Sequence, residues 1–176
     1  QKETIADTFE AMRLYDIRCG RPIGFPNDVF CLRQCVKDFV LGNVKSAIAT
    51  IGKTVMIADP YYKPFTTTRV FCVCEVFATI DSGVAFDISL PLDQEKAMMQ
   101  DAVAGIKALT SRVEVDVQQA QASDASAKKT IDEFIAAGPG FARTNVTTIL
   151  AVQVALLELC HRCDETSEGL LTASDC

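Results

Sequence analysis

Hydrophobic positions recur along the chain with two alternating periods, and the switches between them divide it into elements. Ile5, Phe9, Met12 and Tyr15 make one helical stripe, which Thr4 can cap with Asp7 at the third position and which ends near Cys19-Gly20. After a Gly/Pro-rich loop, residues 28–32 (DVFCL) form a short apolar run suited to a buried strand. Val36, Phe39, Val40, Val44, Ala47, Ile48 and Ile51 then return at helical spacing, with Gly42 as a kink and Gly52 as the stop. Residues 54–58 (TVMIA) read as another buried strand that enters the loop Asp59-Pro60-Tyr61-Tyr62-Lys63-Pro64.

The second part of the chain continues the alternation. Thr68 is placed to cap a helix carrying Val70, Phe71, Cys74, Phe77 and Ala78, which stops at Ser82-Gly83. Val84, Phe86, Ile88 and Leu90 then point one way and Ala85, Asp87 and Ser89 the other, the pattern of a half-buried strand closed by Pro91. Met99, Val103, Ile106 and Leu109 mark a long helix. Val113, Val115 and Val117 alternate with Glu114, Asp116 and Gln118 as a charged edge strand. Helices over residues 124–137 and 141–162 complete the chain, separated by Gly138-Pro139-Gly140.

Strands alternating with helices predict an α/β domain: a mainly parallel sheet of about four strands, with right-handed crossovers and helices on both faces. The chain opens on a helix, so the buried first strand usual in such sheets is expected to be missing, with the N-terminus truncated or processed. Residues 1–163 are expected to form one domain and 164–176 a C-terminal tail. At 176 residues the chain is long enough to bury roughly 70% of its unfolded surface in one core. Its net charge of −6 lies entirely in the second half, since residues 1–88 carry ten basic and ten acidic side chains and residues 89–176 carry seven and thirteen. Such a surface repels phosphate backbones and anionic membranes, which argues against nucleic-acid partners. The most apolar stretch, residues 146–160, is shorter than a bilayer span of ~20 residues and reads as a buried helix, so membrane insertion is not expected.

A resemblance rests on residues already placed. Residues 28–34 (DVFCLRQ), 51–61 (IGKTVMIADPY) and 68–76 (TRVFCVCEV) follow in the order and spacing of a TIR-like (Toll/interleukin-receptor-like) domain, which in algal, oomycete and other protist members reads roughly DIFCVNQ, IGHTVLVLSPW and LTRAWCLWEI. The chain resembles that family over about residues 5–160. The family's first strand has no counterpart before Thr4, and Phe71-Cys72 stands where the family has Trp-Cys. The resemblance implies a flavodoxin-like sheet with an extra C-terminal helix. It also implies a signalling or assembly module of the kind that precedes nucleotide-switch or tetratricopeptide-repeat regions in large proteins.

Glu75 carries the one sharp chemical hypothesis. It matches the catalytic glutamate of NAD-cleaving TIR domains, where a carboxylate stabilises the positive charge developing on the ribose as nicotinamide leaves. The other reading of Glu75 is a solvated or capping residue on a helix's polar face. Tyr61 and Tyr62 lie at a strand's C-terminal end, where open α/β sheets place ligands, and with Arg69 they are the candidate substrate- or partner-binding positions. They read equally as a packed loop.

Other chemistry is less favoured. Cys160-His161-Arg162-Cys163 holds the chain's one histidine, but at a helix's C-terminal end with no second ligand pair, so no metal site is assigned. Cys31 and Cys35 could supply two more ligands only if the fold brought them close. Eight cysteines at irregular spacing are expected as reduced, mostly buried thiols. Asn145-Val146-Thr147 matches a glycosylation pattern within an apolar helix and reads as chance, and Gly138-Pro139-Gly140 lacks the strand and lysine of a phosphate loop. The sequence therefore points to a cytoplasmic protein-interaction module, with protein partners or its own copies, no cofactor and no catalysis. The alternative is an NAD glycohydrolase using Glu75, with NAD as its substrate.

Overall fold

The computed structural model describes residues 5–20, 41–122 and 124–173. Its elements are helices α1 (Ile5–Cys19), α2 (Leu41–Ile51), α3 (Val70–Asp81), α4 (Leu92–Val103), α5 (Ile106–Thr110), α6 (Ala125–Ala137) and α7 (Phe141–Ala173), and strands β1 (Lys53–Ile57) and β2 (Ala85–Ser89). A 3-10 turn over Phe65–Thr68 leads into α3. The predicted strand over residues 28–32 and the first part of the helix predicted from Val36 lie outside the described residues.

β1 and β2 pair in parallel from Lys53 opposite Ala85 to Ile57 opposite Ser89. The Ala58 N–H extends the ladder by donating to the Ser89 carbonyl at 3.1 Å. Parallel neighbours need a long crossover, and α3 supplies it, which makes β1–α3–β2 the βαβ unit expected of the α/β class. Glycines set its boundaries. Gly52 adopts φ +78° and donates to the Ile48 carbonyl to end α2, and Gly83 adopts φ +66° and donates to the Ile80 carbonyl beyond α3, conformations that a side chain would strain.

Four sequence expectations are corrected. Arg69, not Thr68, is the N-cap of α3, because the Thr68 hydroxyl bonds the Phe65 carbonyl and closes the 3-10 turn. The long helix expected through Met99, Val103, Ile106 and Leu109 is broken: Gly105, at φ +117°, separates α4 from α5 and leaves Val103 and Ile106 exposed while Met98 and Leu109 enter the core. The outward face of β2 is solvated only at Ala85, since Asp87 and Ser89 are buried beneath α1. The Ser89 hydroxyl donates to the Ala11 carbonyl at 2.6 Å, and Tyr15 bonds Asp87, so α1 seats itself through Ala11 and Tyr15 while Ile5 and Phe9 stay exposed.

The fourth correction concerns residues 113–117. The alternation holds, with Val113, Val115 and Val117 buried and Glu114 and Asp116 exposed, yet the segment joins no ladder among the described residues. Side chains take the place of a neighbouring strand: the Val117 N–H donates to Asn145 Oδ1 at 2.9 Å. A single parallel bridge between Arg69 and Gln121 ties the segment's end to the start of α3. The described sheet therefore has two strands, which fits the α/β class more coarsely than the predicted four.

Two apolar clusters fill the interior. One joins the sheet to α4 and α7 through Met56, Ile88, Leu90, Met98, Leu156 and Leu159. The other joins α3 to α6 through Val70, Val73, Val115, Val117, Ile131 and Ile135. Helix α3 contributes to both, which explains why it is apolar on most of its circumference.

Candidate functional site

The loop leaving β1 places Tyr61 and Tyr62 at the carboxyl end of the sheet. Tyr61 is 1% exposed, its N–H donates to Gln94 Oε1 at 3.2 Å and its hydroxyl donates to Asp101. Arg112 donates from Nη1 to the same carboxylate at 3.0 Å and lies 5.8 Å from the centroid of the Tyr62 ring. The two tyrosine rings meet edge to face at 5.4 Å. Burial first, then the hydrogen bond to Asp101 and its charge, push the Tyr61 hydroxyl up to about 12. Tyr61 is thus a packed, bonded residue, and Tyr62, 38% exposed, is the only one of the pair on the surface.

The neighbouring Asp59 carboxyl is held above its ordinary range by burial, then by the charges of Asp7 and Asp93. Arg69 is exposed at the N-cap of α3 and tied by backbone to Gln121. Glu75 is half-buried about 1.7 turns further along α3, where its carbonyl accepts from the Thr79 hydroxyl at 2.7 Å. Tyr61 and Tyr62 thus stand on the loop after β1, whereas Arg69 and Glu75 belong to the start and the middle of α3.

A charged cluster that the sequence does not announce surrounds Asp87. Tyr15 donates to it at 3.0 Å, Arg162 at 2.8 Å and the Ile88 N–H at 2.9 Å, while Lys53 forms an ion pair at 3.2 Å. Burial pushes this carboxyl up, but the hydrogen bonds from Arg162 and Ile88 and the neighbouring cations outweigh it and hold it below its ordinary value. Nearby, Arg18 pairs with Glu95, and its guanidinium is lowered by burial. The cluster ties α1, β1, β2 and α7 together through one buried carboxylate. The sequence signal was a lone aspartate flanked by Phe86 and Ile88 in a strand.

The cysteine motif sits inside α7, not at its end, because the helix continues to Ala173. Cys160 Sγ lies 3.8 Å from Met99 Sδ, and burial raises the Cys163 thiol. Among the described residues no group of three or more His, Cys, Asp or Glu side chains could hold a metal; Cys31 and Cys35 lie outside them. Asn145 is committed to Val117, as noted above.

One side of α7 is apolar and exposed. Thr144, Thr148, Val152, Leu156 and Leu159 face the core, whereas Val146, Leu150 and Val154 on the other side are 55%, 54% and 53% exposed. The helix is therefore half covered rather than buried as expected. By length and composition alone, Phe141–Cys163 could cross a membrane. Ile80 and Phe86 flank the exposed side and, with Leu150, Ala151, Val154 and Glu158, line a groove of about 460 Å³. A second cavity of about 420 Å³ lies between α2, α3, α6 and α7, with Phe77, Phe134 and Ile135 in its wall. Lys45 and Arg143 both pair with Asp81 at its rim, at 3.0 and 3.2 Å.

Comparison of the chain with protein-family models, curated proteins and solved structures finds no match.

Proposed function

We propose that this chain is a TIR-like protein-interaction module that works by association within a larger cytoplasmic assembly and performs no catalysis. The observation that carries the reading is the exposed apolar side of α7, where Val146, Leu150 and Val154 are each more than half exposed and Leu150 and Val154 share a groove with Ile80 and Phe86. Contiguous apolar surface of this kind is costly to leave in water and marks a contact surface. The β1–α3–β2 unit supports the finer fold reading of a flavodoxin-like, mainly parallel sheet with helices on both faces.

The test is to measure the mass of the purified chain by light scattering over a range of concentrations and, in parallel, to incubate it with NAD. Mass rising with concentration and no nicotinamide release are the expected results. Release of nicotinamide that disappears in Glu75→Ala overturns the reading.

A further inference from the structure

We propose that the exposed side of α7 is a self-association surface, on which a second copy of this chain packs its own α7 antiparallel about a two-fold axis passing between Leu150 and Ala151. The proposal rests on the association reading above and adds the partner and the register.

The 3.6-residue period places Arg143, Thr147, Leu150, Ala151, Val154 and Glu158 within an arc of about 100°. Five of these six line the groove beside Ile80 and Phe86, so the strip has an apolar wall along one side into which a partner helix can seat. The strip is basic at one end, uncharged through its middle and acidic at the other. Arg143 and Glu158 stand equally far from the midpoint between Leu150 and Ala151. A two-fold axis there sets Arg143 against Glu158 of the second copy at both ends, Thr147 against Val154, and Leu150 against the small Ala151, which allows close approach.

A parallel pairing sets Arg143 against Arg143 and Glu158 against Glu158, so charge selects the antiparallel form. The end groups are available for it. Glu158 is exposed and has no ion-pair partner among the described residues. Arg143 gives one nitrogen to Asp81, a carboxylate that Lys45 also holds, and packs over the Phe77 ring at 5.9 Å, and a guanidinium carries five N–H donors, so others remain for the second copy.

Sedimentation velocity of the full chain tests the pairing, using wild type, Arg143→Glu, Glu158→Arg and the double reversal, with vesicle flotation on neutral phospholipid as a parallel arm. The wild type is expected to dimerise reversibly and each single reversal to weaken the dimer about tenfold or more. The double reversal recreates the opposite-charge contacts and is expected to recover the wild-type affinity, which excludes misfolding as the cause of the single losses. Dimerisation that none of the three variants alters overturns this register while leaving the association reading standing. A wild type that remains monomeric at every concentration overturns self-pairing, and flotation of that monomer assigns the strip to lipid instead.

Discussion

Tyr15 on α1 donates a hydrogen bond of 3.0 Å to Asp87 on β2, seventy-two residues away, and thereby fixes the first helix across the sheet. The same carboxylate is held by Lys53 and Arg162, so one buried anion organises the packing of four elements.

Asp87→Asn is expected to destabilise the fold by about 1–3 kcal/mol, because it removes the charge from a buried acceptor held by Tyr15, Lys53 and Arg162, the two cations being partly exposed and screened by solvent. The Asp87 carboxyl titrates below its ordinary value in the folded chain. Its contribution is therefore complete above an unfolded value near ~3.9 and is lost as pH falls through the lower folded value. Urea unfolding of both proteins through that acid range is expected to show the gap between them closing.

Tyr61 is expected to ionise near 12. Asp101→Asn removes both the acceptor's charge and its Coulombic effect and should bring that ionisation down toward the ordinary tyrosine range, whereas Arg112→Ala removes an opposing cation and should move it further up. Because the folded value is the raised one, the stability this group lends is present below about 10 and is lost as pH rises toward the folded value. Ultraviolet-difference titration of the variants checks both directions.

The thiols should react in an order set by burial. Cys19 is exposed, whereas Cys74 is buried, and burial first and the Glu75 charge second push its thiol up to about 12. Alkylation of the native chain followed by mass spectrometry is expected to label Cys19 well before Cys74. Equal labelling of the two contradicts the packing of α3 against α6.

Asn145→Ala is expected to cost about 1–3 kcal/mol, since it leaves the Val117 N–H without its acceptor. Thermal unfolding measures it, and Asn145→Asp, which keeps the acceptor, should lose less.

What the sequence made legible was the βαβ unit. The apolar run after Gly52 and the helical stripe ending at Gly83 mark local boundaries that no tertiary contact overrides. Asp87 and Ser89 were misread because periodicity equates polar with solvated, and only the seating of α1 over them reveals that their polar groups are satisfied inside. Residues 113–117 show the same limit from the other side: alternation gives the buried face of an extended segment, but not whether a strand or the side chain of Asn145 meets its backbone. Of the site candidates, Tyr61 and Tyr62 sit at the strand end where the pattern put them, and their partners Asp101 and Arg112 come from elements whose approach the sequence does not specify. The open side of α7 was hidden because its apolar residues read alike whether they are covered or not.

The central claim, that association through α7 is what this chain does, is tested most directly by comparing the concentration dependence of mass for wild type and Val154→Lys. Val154 is more than half exposed, so lysine there places a charge in the middle of the uncovered strip without entering the core. The account predicts that the wild-type mass rises above that of a monomer while Val154→Lys stays at the monomer mass with an unchanged melting temperature. A wild type that stays monomeric, or a variant that associates as strongly as the wild type, contradicts it.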